Sequence, residues 1–169
     1  FTISRDRDGP LPMLSDWSGF LHADAYSGYD PVIHQSDGLI VEVACWAHAR
    51  RYFEQALDND RKVCGLVLEW VRQLYDIEDR ALLMPDDQRL SLRQAESGPM
   101  LRRMSEWLKV DDDGVFTKHA FPESVLPKSS TAKAIRYVRN NWKALNVFTT
   151  DGRLTIDNNL SERTVRLLA

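Results

Sequence analysis

Apolar residues recur along this chain with two different periods, and the change from one to the other outlines its organisation. Residues 1–4 (FTIS) alternate apolar and polar and are expected to be the tail of a strand, 5–9 a turn, and 10–17 a short helix. Residues 19–23 (GFLHA) form a brief apolar run suited to a buried strand that ends at Asp24. The following DAYSGYDP reads as a polar and aromatic turn, or a single helical turn, stopped by Pro31. Residues 39–45 (LIVEVAC) make the best strand in the chain, rich in β-branched residues and suited to the interior of a sheet.

At Trp46 the period becomes helical. Trp46, Ala49, Phe53, Ala56 and Leu57 share one stripe, His48, Arg50 and Arg51 lie off it, and Asp58-Asn59-Asp60 closes the helix. Two longer helical patterns follow over 63–83 and 88–110, separated by Pro85 and ended by DDDG at 111–114. After a loop holding Pro122 and Pro127, Ser129 or Ser130 caps a helix that runs to about residue 145. A turn at Asp151-Gly152 leads to 157–166 (DNNLSERTVR), where Leu160, Thr164, Leu167 and Leu168 share one face. The order is strand, short helix, two strands, several helices and a final helix: an α/β beginning interrupted by a helical insertion.

Composition sets this pattern in a globular chain: 43% hydrophobic and 9% aromatic residues suffice for a sizeable core in one domain of 169 residues. There is no leader pattern and no apolar run of the ~20 residues that span a bilayer, so a soluble intracellular protein is expected. The chain opens at Phe1 without Met and stops at Ala169 within an apolar helical pattern, as a piece of a longer protein would. Net charge is −3, unevenly divided: residues 1–117 carry 13 Lys+Arg against 21 Asp+Glu, and 118–169 carry 9 against 4. A basic final third implies a local anionic partner.

Several side chains could carry chemistry. Asp24, just past a buried strand, stands where α/β sheets place functional groups, although an Asp opening a turn also caps local amides. Glu162 has two readings as well. It completes a capping-box-like start with Asn159 and pairs with Arg166 one turn on, or it joins Asp24 as a hard oxygen ligand for Mg²⁺ or Mn²⁺. Cys45 and His48 invite a zinc reading, but no second ligand pair accompanies them; Cys64, His22, His34 and His119 are scattered, which favours a packed thiol. No nucleophile elbow or glycine-rich phosphate loop is present. In the 130–145 helix Ile135, Val138, Trp142 and Leu145 mark a core face, and Lys133, Arg136, Arg139 and Lys143 a cationic stripe. Unopposed by any acid between Lys128 and Asp151, the stripe either follows a phosphate backbone, extended by Arg163 and Arg166, or is an ordinary solvated face.

In that order, LHADAYSGYD, CWAHARRYF and DNNLSERTVR resemble the catalytic core of bacterial DDE transposases of the insertion-sequence-66 type, from about residue 20 onward. The resemblance implies an α/β, RNase-H-like (DDE transposase/integrase) core, incomplete at its N-terminal side, with an all-α insertion. Residues 1–57 would be partial core, 58–128 the insertion, and 129–169 the return with the basic helix and the Glu-bearing helix. Asp24 becomes the second acid of the triad and Glu162 the third, framed by Asp157, Asn158 and Arg163. Cys45, Trp46 and His48 match the family's Cys-Trp-x-His motif, with Arg51 close behind.

Such a core uses two Mg²⁺ or Mn²⁺ ions, typically ~4 Å apart, to cleave and join phosphodiesters. The implied partners are transposon-end and target DNA, further copies of the chain in the active complex and accessory transposition proteins, with no membrane. The implied setting is the bacterial cytoplasm at the nucleoid. The first acid is expected upstream of Phe1, so this chain alone is expected to be inactive. Two other readings stand beside this one: a non-catalytic DNA-binding or regulatory protein using Asp24 and Glu162 structurally, and a nuclease or resolvase of the same fold. Opposed carboxylates at Asp24 and Glu162 would distinguish an enzyme from a binding module.

Overall fold

The two apolar runs pair as parallel strands. In the computed structural model, which describes residues 14, 16–23, 28–110 and 125–159, strand β1 (Gly19–Ala23) lies beside β2 (Ile40–Ala44), with Leu21 opposite Glu42 and Ala23 opposite Ala44. Parallel neighbours need a crossover connection, and helix α1 (Asp30–Gln35) lies within it. Pro31 opens this helix and does not stop the turn before it. In the first helical turn the missing N–H has no partner to lose and the fixed φ suits the helix. Ser36 then ties the crossover to β2, its hydroxyl donating to the Ile33 carbonyl (2.7 Å) and accepting from the Ile40 amide (3.1 Å).

From β2 the chain turns through Cys45 into α2 (Trp46–Ala56), which buries Trp46, Ala47, Ala49, Phe53 and Ala56. This is the expected stripe, with Leu57 partly buried beyond it. Trp46 is fully enclosed. Its indole Nε1 donates to the Leu145 carbonyl at 2.8 Å, and its ring meets Trp142 edge-on at 6.2 Å. Helix α3 (Arg61–Ala81) follows, capped by Asp60, whose Oδ1 accepts from the Val63 amide at 3.0 Å. Val63, Val67, Val71, Leu74, Ile77 and Ala81 recur every three or four residues along its buried side.

Helix α4 (Asp86–Leu92), a π-helical turn (Arg93–Ser97) and α5 (Gly98–Leu108) make one continuous helical run. The π turn adds a residue to the helical repeat, and Arg93 and Ser97 within it are buried. Helix α6 (Ser130–Asn140) begins at Ser129, whose Oγ accepts from the Ala132 amide at 3.1 Å. The single helix expected to about residue 145 divides. Asn141, at φ −106° and ψ 13°, leaves the helical conformation, and α7 (Trp142–Asn146) and a 3₁₀ turn (Val147–Thr149) restart beyond it. Helix α2 packs against both α3 and α6, while α7 packs against β2.

The described residues are thus mixed α/β, mostly helical, with one two-stranded parallel sheet. The expected strand at 1–4, the turn at 5–9, most of the 10–17 helix, the DDDG stop at 111–114 and Pro122 lie outside the described residues.

Arg93, 1% exposed, binds the helical run to the return path of the chain. Its Nε and Nη2 donate to the two oxygens of Glu78 on α3 (2.8 and 2.5 Å). Nη1 donates to the carbonyls of Phe148 (2.8 Å) and Asp151 (3.0 Å), and Nη2 also to that of Leu154 (2.9 Å). Gly152 lies in the same turn, so close to α4 that an added Cβ would stand 1.8 Å from the Asp86 carbonyl oxygen. Only a residue without a side chain fits there.

Truncating one member of a buried ion pair leaves the other charge uncompensated and costs about 3–5 kcal/mol. Arg93→Met is therefore expected to lower the urea-unfolding free energy by about that much, and a loss below about 1 kcal/mol would contradict the role given to Arg93.

Candidate active site

Both strands run toward the same end of the sheet, where α/β proteins collect functional groups beyond the carboxyl ends of parallel strands. Strand β1 ends at buried Ala23, directly before Asp24, and β2 ends at Ala44, directly before Cys45. The segment at 156–159 arrives at this end from far along the chain. The Trp46 amide donates to the Ile156 carbonyl at 3.1 Å, and the Asn158 amide donates to Cys45 Sγ at 3.4 Å. Two motifs more than a hundred residues apart are thereby joined backbone to backbone and backbone to thiol. Cys45 is fully buried, a packed thiol engaged as an acceptor.

Asp157 is the most connected polar group here. Its Oδ1 accepts from the Asn159 amide (3.1 Å), a bond to the backbone two residues on that favours a tight turn, and its Oδ2 accepts from Asn159 Nδ2 (2.7 Å). Oδ2 also accepts from the Tyr75 hydroxyl on α3 at 2.9 Å. Thr155 Oγ1 donates to the Asp157 carbonyl at 2.6 Å. Asn159 has entered helical conformation, so this turn opens the segment that carries Glu162 in the sequence. Burial, the Asp157 carboxylate and its hydrogen bond push the Tyr75 pKa far above its ordinary 10, keeping the hydroxyl a donor. The ring of Tyr75 lies under the Arg50 guanidinium, 5.6 Å from its centroid.

His22, from the HADAY run, faces the same carboxylate. Burial lowers its pKa from 6.5, against the opposing pull of Asp157. His48 and Arg51 both lie on α2, the first half-buried and the second exposed. Among the described residues no three His, Cys, Asp or Glu side chains cluster as a metal site. Asp24, Glu162, Arg163 and Arg166 lie outside the described residues, so the distance between the two candidate carboxylates does too.

The cationic stripe is interrupted. Lys133, Arg136 and Lys143 are exposed, whereas Arg139 is 3% exposed and donates through Nε to the Leu108 carbonyl at 2.8 Å. Burial lowers its pKa. A guanidinium held inside the core cannot reach a phosphate backbone, so Arg139 does not belong to an exposed stripe. Lys133 Nζ stands 5.5 Å from the Tyr52 ring centroid, and Arg136 Nη1 donates to the Pro127 carbonyl at 2.8 Å. Tyr75, His22 and Arg50 carry no functional signal in the sequence because each resembles an ordinary strand or helix position.

A parallel αβ end at which the close of β1, the CWAH segment and the DNN segment converge defines a class of protein with a composite polar site at its strand ends. The chain belongs to a family described as Transposase IS66 family, whose model matches residues 1–169. It is 32% identical over 187 residues to y4hP, an uncharacterized protein of Sinorhizobium fredii (strain NBRC 101917 / NGR234), covering 100% of this chain and 32% of that protein. It is 31% identical over 173 residues to y4qI of the same strain, also uncharacterized, covering 98% and 30%. The chain thus spans about a third of the length of these relatives. No solved structure matches it significantly.

A histidine whose pKa is lowered on folding binds fewer protons in the folded than in the unfolded chain. Its contribution is complete above the unfolded pKa of 6.5 and is lost as pH falls through it toward the folded value. The unfolding free energy is therefore expected to decline more steeply between about pH 7.5 and about pH 5.5 in the natural sequence than in His22→Gln. Equal slopes would contradict this.

Proposed function

We propose that this chain is the catalytic-core segment of a DNA transposase that cleaves and joins phosphodiester bonds when an insertion sequence moves. The observation that carries the reading is the junction of Asn158 with Cys45, which brings the DNN segment to the end of β2, where Ala44 pairs with Ala23 of β1. In this reading the core is RNase-H-like, with residues 1–57 and 129–169 forming its parts and 58–128 the helical insertion. Helices α3, α4 and α5 between α2 and α6 agree with that division.

Asp24 and Glu162 would hold the divalent ions with an upstream acid, and the donor chemistry suits Mg²⁺ or Mn²⁺. These ions prefer carboxylate oxygens, and the Asp157 carboxylate adds negative charge at the same end of the sheet. When bound, two such ions activate the attacking hydroxyl and stabilise the leaving oxygen. The chain's own residues set the geometry. Cys45 and Trp46 anchor the segment preceding Glu162, and Tyr75 and Asn159 orient Asp157. Lys133, Arg136 and Lys143, with Arg163 and Arg166, would hold transposon-end and target DNA in a complex of several copies assisted by accessory proteins. The expected setting is the bacterial cytoplasm; among the described residues no helix is long and apolar enough to cross a membrane.

In the natural protein carrying this sequence, incubated with transposon-end DNA and Mn²⁺, Asp24→Asn and Glu162→Gln are each expected to abolish cleavage. Losing an ion contact removes several kcal/mol of transition-state stabilisation, or about a hundredfold or more in rate. Cleavage at the natural rate by both variants would leave a DNA-binding role only.

A second measurement addresses the interface. Lys133→Glu with Arg136→Glu is expected to weaken DNA binding across sequences and to reduce the slope of log affinity against log salt by about one per lost phosphate contact. An unchanged slope would remove this face from the interface.

A further inference from the structure

We propose that Tyr75, in the helical insertion, is a positioning residue that holds the Asp157-Asn158-Asn159 turn at the strand ends and so sets where the Glu162 segment begins. The inference deepens the transposase reading and rests on it only for its catalytic consequence. Three observations carry it. The Tyr75 hydroxyl donates to Asp157 Oδ2 at 2.9 Å across 82 positions of sequence. The same carboxylate accepts from both the amide and the side chain of Asn159 (3.1 and 2.7 Å), so the Tyr75 bond fixes a group that already shapes the turn. The Tyr75 ring is seated under Arg50, three residues beyond Ala47 in the CWAHARR run and itself paired with Glu54 at 3.3 Å.

Tyr75 thus links two of the three motifs from an element outside both. The other anchors of the turn, Trp46 and Cys45, hold Ile156 and Asn158 through the backbone and leave the Asp157 side chain to be set by Tyr75 and Asn159. A phenol suits this place because its ring fills the space below Arg50 while its single donor points one way. Phenylalanine would keep the packing and lose the bond. An acid held a fraction of an ångström from its place loses rate far out of proportion to stability, since a misplacement of about 1 Å can cost about a hundredfold.

The test uses the natural protein and Tyr75→Phe, Asp157→Ala and the double variant. Hydrogen–deuterium exchange followed by mass spectrometry is read on the peptide spanning residues 157–166. Tyr75→Phe is expected to raise exchange there about tenfold, with the peptide over β2 unchanged and the melting temperature within about 4 °C of the natural protein. In the Asp157→Ala background the Tyr75 change is expected to add nothing, as two groups acting through one bond should behave. End cleavage by Tyr75→Phe is expected to slow by roughly ten- to a hundredfold at unchanged DNA affinity.

Unchanged exchange at 157–166, or additive effects of the two changes, overturns the proposal whatever the cleavage rates. A natural protein that cleaves no end DNA overturns the transposase reading instead, and exchange still decides the role of Tyr75.

Discussion

The Arg93 guanidinium meets acceptors with all three of its nitrogens while buried: two carboxylate oxygens of Glu78 and the carbonyls of Phe148, Asp151 and Leu154. A charge held in the interior is tolerated only when it is paired and its remaining donors are satisfied. Here the pairing partner is on α3 and the carbonyls lie on the path from α7 to the DNN segment. The chain between 148 and 154 has little regular structure of its own and few backbone bonds to hold it. Its carbonyls are gathered around one cation, with the Phe148 ring 5.3 Å from that cation. The position of everything after residue 154 depends on this, because the next anchors, Leu154 and Ile156, bury their side chains only two residues apart.

From Arg93 the constraint passes to Trp46. Its amide takes the Ile156 carbonyl and its indole takes the Leu145 carbonyl, so one residue at the start of α2 holds both the end of α7 and the approach to Asp157. The sheet fixes Trp46 in turn, because Cys45 comes directly after β2 without a loop. The polar turn at 157–159 is therefore placed from two sides: by the helical run through Arg93 and by the strand through Trp46 and Cys45.

How much of this is legible in the residues alone depends on the kind of signal. Strands β1 and β2, the buried stripe of α2 and the cap at Ser129 arise from local pattern, and the folded chain keeps them, whereas Asp60, expected only to close α2, also caps α3. Arg139 shows where local pattern misleads. Charge groups it with Lys133 and Arg136, yet it lies four residues after Ile135 and seven after Ala132, both fully buried, and so occupies a core-facing slot of the helix. Arg93 is the same case: with Ser97, Met100, Met104 and Leu108 it continues a buried stripe at three- and four-residue spacing. Charge assigns both arginines to the surface, whereas spacing assigns them to the core, and spacing prevails because each finds acceptors inside. Those acceptors are carbonyls distant in sequence, which no local window contains. Pro31 is a smaller instance, since a proline ends one element or begins the next according to whether the residues after it can continue a helix.

The helices between α2 and α6 are consequently not separable from the polar turn at 157–159. They contribute Arg93 and Glu78, which shape the path from 148 to 154, and Tyr75, which meets Asp157 directly. A passenger domain would pack on its own core and touch its host through a solvated boundary. Here the core is shared: Val63, Val67, Val71 and Leu74 of α3 lie in one continuous apolar cluster with Trp46 and Phe53 of α2 and Ile135 and Val138 of α6. Shared packing joins α3 to the strand ends in one close-packed interior, and the Tyr75 hydroxyl adds a side-chain bond of 2.9 Å from α3 to Asp157. Helices packed this way hold the Asp157 turn through a side chain as well as through the shared core.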